Sequence, residues 1–215
     1  MLLGESFDRI KGFCQVIVSR QKLEALDKEK MEFESVFKDL GFDVDEKVCE
    51  SNDDVERVIT YVASRDYSGY NSFICFIQSS VTKDGRIESF FGRSFSITKL
   101  LAKFRCSELP HWREAPKIFI IQGHQTTTAL EADEPVDEKS VSVKLPVGEN
   151  FLCLFFPYRK GYIATLLSVI KLHSSKIDRR PILDILSEAK KLFYEKNHVT
   201  IPDPVNNLTG PAYLN

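Results

Sequence analysis

Phe119-Ile120-Ile121-Gln122-Gly123-His124-Gln125 is an apolar run that breaks off on small and polar residues. Phe73-Ile74-Cys75-Phe76-Ile77-Gln78-Ser79-Ser80 does the same. Both are short, rich in β-branched and aromatic residues, and apolar without alternation, the pattern of a strand covered on both faces. What stands at the ends of these two strands decides how the whole chain is read.

Outward from them, strand-like and helix-like segments alternate. Phe13 to Val18 and Phe42 to Val48 read as further strands, and Phe151 to Phe156 as another. Between them, Phe33, Val36, Phe37 and Leu40 recur at helical spacing, and Gly41 stops that helix. Ser51-Asn52-Asp53 caps a second helix carrying Val55, Val58, Ile59 and Val62. Ile97, Leu100, Leu101 and Phe104 mark a third. Tyr162, Leu166, Val169 and Ile170 form one late helical face, and Ile182, Ile185, Leu186, Ala189 and Phe193 another. This alternation predicts an α/β fold with a mainly parallel sheet and helices on both faces. The tail holds Pro202, Pro204 and Pro211, so a strand there is short or lies at an edge.

The chain has 215 residues, 43% of them apolar, with 16 phenylalanines. That fits one domain with a sizeable core. Residues 125–143 form an acidic, Thr/Ser-rich linker that divides it into a larger part, 7–124, and a smaller part, 144–215. With 29 basic against 31 acidic residues, the net charge of -2 argues against a nucleic-acid binder. No apolar run approaches the roughly 20 residues of a membrane helix. The opening residues lack the basic flank and apolar core of a secretory leader, so a cytoplasmic protein is expected. Five scattered cysteines read as buried free thiols in a reducing compartment. Neither they nor the four histidines show metal-ligand spacing, and no cofactor is implied. Lys99, Lys103 and Arg105 read as a solvated basic stripe.

The order of elements, with its mid-chain linker, resembles a caspase catalytic domain over nearly the whole chain. Phe37-Lys38-Asp39-Leu40-Gly41-Phe42-Asp43-Val44 matches that family's F-x-x-L-G-F-x-V segment. Ser64 to Tyr70, followed by Phe73-Ile74-Cys75, is similar to the approach to the catalytic histidine. Ala115-Pro116-Lys117-Ile118-Phe119-Ile120-Ile121-Gln122 is similar to the K-P-K-x-F-x-x-Q that leads to the catalytic cysteine. Lys144 to Leu152 resembles the start of the small subunit, and Ile201-Pro202 with Leu208-Thr209 the final strand. The resemblance implies a three-layer sandwich around a mostly parallel six-stranded sheet.

The chemistry implied by the family departs at the strand ends. Ser-His-Gly is replaced by Ser79-Ser80-Val81, so Ser80 stands for the general base. Gln-Ala-Cys-Arg-Gly is replaced by Gln122-Gly123-His124-Gln125-Thr126, so His124 stands for the nucleophile. Hydrolysis by that route needs a thiolate activated by an imidazole, and a histidine supplies no thiol. Val81 replaces a glycine whose amide serves the oxyanion. Of the pocket that holds a substrate aspartate, Gln122 keeps the glutamine. Lys22 or Leu23 falls at one arginine, and only Arg159, in the shortened turn 156–161, stands near the other. The chain is therefore expected not to be an enzyme. A residual hydrolase, with Ser80 as nucleophile and His124 as base, is the chemical alternative.

In the family the last strand pairs across a two-fold axis. Here Val205, Asn207, Leu208 and Thr209 occupy that edge, with Pro204 and Asn206 among them. This polar composition predicts a weak homodimer or none, and an active caspase of the same organism as the better partner. The pattern is similar to that of the FLICE-like inhibitory protein, an inactive relative that binds active caspases. No recruitment domain is expected ahead of Phe7. Leu130-Glu131-Ala132-Asp133 resembles a caspase recognition tetrapeptide, which makes Asp133, and secondly Asp137, candidate cleavage sites. An interaction module for a partner outside the family is the remaining alternative.

Overall fold

The structure, a computed structural model, describes residues 12–19, 24–67, 69–81, 86–88, 95–105, 115–124, 144–147, 150–173 and 180–214. Five parallel strands form its centre: β1 (Gly12–Ser19), β2 (Phe42–Cys49), β3 (Phe73–Val81), β6 (Lys117–His124) and β7 (Phe151–Pro157). A ribbon of β4 (Arg86–Glu88) and β5 (Phe95–Ser96) hangs from the end of β3. The main sheet runs β2-β1-β3-β6-β7-β8, and its last strand, β8 (Val205–Asn206), is antiparallel to β7. This is the six-stranded, mostly parallel sheet that the sequence predicts. The β4–β5 ribbon is an addition, and its strands are too short to show any periodicity.

Alternation along each strand sorts side chains to two apolar layers. Cys14, Val16 and Val18 of β1 join Ile118 and Ile120 of β6 under α1 (Glu24–Asp39), α4 (Tyr162–His173) and α5 (Ile182–Asn197). Phe13 and Ile17 join Phe119 and Ile121 on the other face, under α2 (Asn52–Ser64) and α3 (Ile97–Ala102). The first layer is held across α4 and α5 by Glu188, whose Oε2 lies 3.0 Å from both His173 Nε2 and Arg180 Nη1.

Local chemistry fixes the helix ends. Ser51 accepts from the Asp54 backbone N–H, and Asp54 accepts from the Ser51 backbone N–H, a capping box that starts α2. Gly41, at φ 82°, ends α1 in a left-handed turn that a side chain would strain. At the start of β1, a Cβ on Gly12 would lie 2.4 Å from the Phe42 ring, so only glycine lets β1 and β2 register there.

The linker 125–143, with Asp133 and Asp137, lies outside the described residues. So do Lys22, Leu23, Phe90, Phe91 and Cys106. Of the basic stripe, Lys103 is engaged, with Nζ 3.2 Å from Glu56 and 3.0 Å from Thr60 Oγ1 on α2.

Candidate functional site

The two strand ends read from the sequence meet. β3 and β6 are adjacent and parallel, and Ser80 is the register partner of His124. Gln78 pairs with Gln122 and Ser79 with Gly123 just before them. Neighbouring strands run about 4.8 Å apart, so the two positions sit side by side at the carboxyl end of the sheet. Ser80 and Val81 also pair with Glu88 and Ile87 of β4, which extends that end of β3. The side chains of Ser80, Val81 and His124 lie outside the described residues.

Beneath this pair lies a chain of buried polar groups. Gln78 Nε2 donates to Gln122 Oε1 at 2.7 Å, and Gln122 Nε2 donates to Glu29 Oε2 at 3.0 Å. Gln78 and Gln122 are fully buried, and Glu29, on α1, is 7% exposed. Burial pushes the Glu29 carboxyl above the usual carboxylate range, while hydrogen bonds from Gln122 and from the Gly161 backbone N–H pull it back. Sequence reasoning found Gln122 and passed over its two partners. The repeated Ile-Gln at 77–78 and 121–122 is the signal for Gln78. Nothing marks Glu29, which stands in a charged run from Asp27 to Lys30 that reads as a solvated helix face.

The turn 156–161 is tied to the same strand end. Tyr158 N–H donates to the Gly123 carbonyl at 2.6 Å, and Gly161, at φ 84°, leads into α4. Arg159 is half-buried in this turn. Its Nη1 leans 3.4 Å from the Tyr158 carbonyl, and its buried Nε has no hydrogen-bond partner among the described residues.

No thiol of the described residues is poised for chemistry. Cys14, Cys49, Cys75 and Cys153 are free and buried. Burial raises all four pKa values, Cys49 to about 11 and Cys153 to about 12. These are the inert, protonated sulfurs expected from their places in apolar strands.

At the far edge, Val205 pairs with Cys153 and Asn206 with Leu152. Val205 is 41% exposed. The polar residues beyond it work inward. Asn207 Oδ1 accepts from the Phe151 backbone N–H at 2.8 Å, and Asn207 Nδ2 donates to the Pro146 carbonyl at 2.5 Å. Leu208 packs against the α1–α4–α5 layer. Asn150 Oδ1 accepts from both the N–H and the hydroxyl of Thr209, at 2.8 and 2.7 Å. Asn207 and Thr209 thus fasten the tail, and Val205 is the exposed apolar side chain of the four. Asn207→Ala leaves the Phe151 N–H without its side-chain acceptor and is expected to lower stability by about 1–3 kcal/mol, measured by urea unfolding.

Fold, strand ends and edge together define one class of protein. A model of the caspase domain matches residues 11–213, and the chain belongs to that family. Caspase-3 of Xenopus laevis is 26% identical over 206 residues, covering 87% of this chain and 72% of that protein. Caspase-3 of Mus musculus is 28% identical over 161 residues, 68% of this chain and 57% of its own length. Caspase-8 of Rattus norvegicus is 30% identical over 129 residues, 54% of this chain and 27% of that protein. The solved structure of pro-sf-caspase-1 superposes with a TM-score of 0.72 at 18% identity, over 96% of this chain and 95% of that one, a likeness of fold.

Proposed function

We propose that this chain is a non-catalytic caspase homologue that regulates an active caspase of the same organism by binding it. The observation that carries the reading is the register pairing of Ser80 with His124, with no thiol at either position. A thiolate and an imidazole are what cysteine-protease chemistry at two such strand ends would require. The four described sulfurs, all buried with raised pKa values, supply no substitute. Contact is through the β8 edge, as a heterodimer, in the cytoplasm, and its outcome is a change in the apoptotic proteolysis that the partner carries out. A partner whose active-site loops become ordered on contact is activated. A partner whose dimer edge is occupied without that ordering is inhibited.

The test mixes the purified chain with each active caspase of the organism, separates the mixture by size-exclusion chromatography, and follows cleavage of an aspartyl peptide. A co-eluting complex with a changed cleavage rate is expected for at least one caspase, and the sign of the change gives the direction of regulation. No complex and no change of rate with any of them overturns the reading. The same pairing favours a second reading, a hydrolase with Ser80 as nucleophile and His124 as base. Covalent labelling by a serine-reactive phosphonate that disappears in Ser80→Ala supports it. Absence of labelling removes it.

A further inference from the structure

The two ends of the main sheet are finished differently. β8 is two residues long and follows Pro204, and both features blunt an edge. β2 has eight residues, no proline and an unbroken register with β1. Among the described residues no strand pairs with its outer side. The N–H and C=O groups on that side are a long template for a further strand. We infer that β2 is a self-association edge, which pairs antiparallel with β2 of a second copy of this chain about a two-fold axis. This contact is separate from the caspase contact at β8 and does not depend on it.

Side-chain complementarity selects a second copy as the occupant. Alternation puts Val44 and Val48 on the α1 face of β2, where Val44 packs against the first apolar layer. Asp45 and Lys47 fall on the α2 face, the face of Cys49. A two-fold axis between antiparallel strands sets one residue opposite itself and keeps the two faces in line. With the axis at Glu46, Asp45 stands opposite Lys47 of the second copy, and Lys47 opposite its Asp45. Val44 stands opposite Val48, twice over, and Val48 is 55% exposed in the single chain. Asp45 Oδ1 and Lys47 Nζ already lie 3.1 Å apart within one chain. Two copies therefore assemble four alternating charges, and a network of this kind counts for more than an isolated surface pair.

Glu46 meets its own copy at the axis, and each carboxylate is answered by Lys30 of its own α1, whose Nζ lies 2.5 Å from Glu46 Oε1. The neighbouring registers fail on both counts. An axis at Asp45 sets two aspartates together and Val44 against Glu46. An axis at Lys47 sets two lysines together and Val48 against Glu46. Like charges directly opposite are destabilising, so Glu46 is the centre that the sequence of β2 permits. An isologous contact closes on itself, and association stops at two chains. β8 lies at the opposite end of the sheet, clear of this contact.

The test is sedimentation equilibrium of the full chain and of charge-reversed variants. The natural chain is expected to dimerise with a dissociation constant of roughly tens of micromolar, as suits a small contact. Asp45→Lys brings four basic side chains together across the axis, and Lys47→Asp brings four acidic ones. Each variant alone is expected to self-associate at least about tenfold more weakly. Mixed in equal amounts, the two variants face each other with opposite charges and associate as tightly as the natural chain does. A natural chain that stays monomeric up to millimolar concentration overturns the inference. So do dimers indifferent to both reversals, or variants that fail to recombine on mixing. Where a charge variant fails to fold, Val48→Lys at its exposed position sets an ammonium against Val44 and must weaken the dimer as well; a folded Val48→Lys that dimerises normally overturns the inference. Val205→Asp leaves this dimer intact, and a dimer that it abolishes sits at β8 instead and overturns the inference too. No caspase enters these measurements, so this idea and the heterodimer reading fail separately.

Discussion

Phe119→Ala is expected to destabilise the domain by about 3–5 kcal/mol, the usual range for a buried phenylalanine truncated in a core. Phe119 is fully buried in β6, at the middle of the sheet's α2–α3 face. Its ring centroid lies 5.7 Å from that of Phe73, 5.1 Å from Phe104 and 6.0 Å from Phe151. These neighbours come from β3, the turn after α3 and β7, so no single one can move in without dragging its own segment. The lost ring removes both its apolar burial and its edge-on and stacked ring contacts, and it leaves a void in a close-packed layer. Domains of this size are stable by roughly 5–15 kcal/mol, so the loss is a large part of the whole. Guanidinium unfolding measures it as a lower midpoint at unchanged slope. A loss below about 1 kcal/mol would mean that the aromatic layer repacks freely, contrary to the interlocked rings described here.

Val205→Asp is expected to weaken the complex with the caspase partner by at least about tenfold while leaving stability within about 0.5 kcal/mol. Val205, on the outermost described strand of the sheet, is 41% exposed. In the proposed heterodimer it would be the central apolar contact of a two-residue strand. A carboxylate buried there would lack a partner charge, and removing it from water is expensive. Titration by calorimetry or fluorescence anisotropy measures the change. Asn207→Ala gives the contrasting result, since that side chain fastens Phe151 and Pro146 within the chain. Its effect falls on stability first. Unchanged partner affinity in Val205→Asp would rule out β8 as the contact.

The central strands were legible because they are apolar on both faces, and such runs stand out against charged helices. The second helix was legible down to its cap, since Ser51-Asn52-Asp53 are cap formers ahead of an apolar helical pattern and Ser51 is the N-cap; the reciprocal bond to Asp54 came from the structure. Even the meeting of Ser80 and His124 followed from two matched strand ends. The β4–β5 ribbon escaped because three and two residues carry no period. Glu29 escaped for a different reason. Its neighbours Lys28 and Glu32 face solvent and pair with each other, so the run reads as a solvated surface. Which residue of such a run turns inward is decided by α4 and β6, far away in the chain. Asn207 looked like an edge residue that discourages pairing, and its inward bonds likewise depend on a turn near Pro146.

The protonated state of the described sulfurs bears on how this protein is observed in a mixture. Electrophiles that report cysteine proteases react with thiolates, and a thiol held at pKa about 11 or 12 is almost entirely unreactive near neutrality. Cys14, Cys49, Cys75 and Cys153 therefore stay dark to such reagents. In an assembly of this chain with an active relative, these four sulfurs are expected to add nothing to the fluorescence of an active-site warhead.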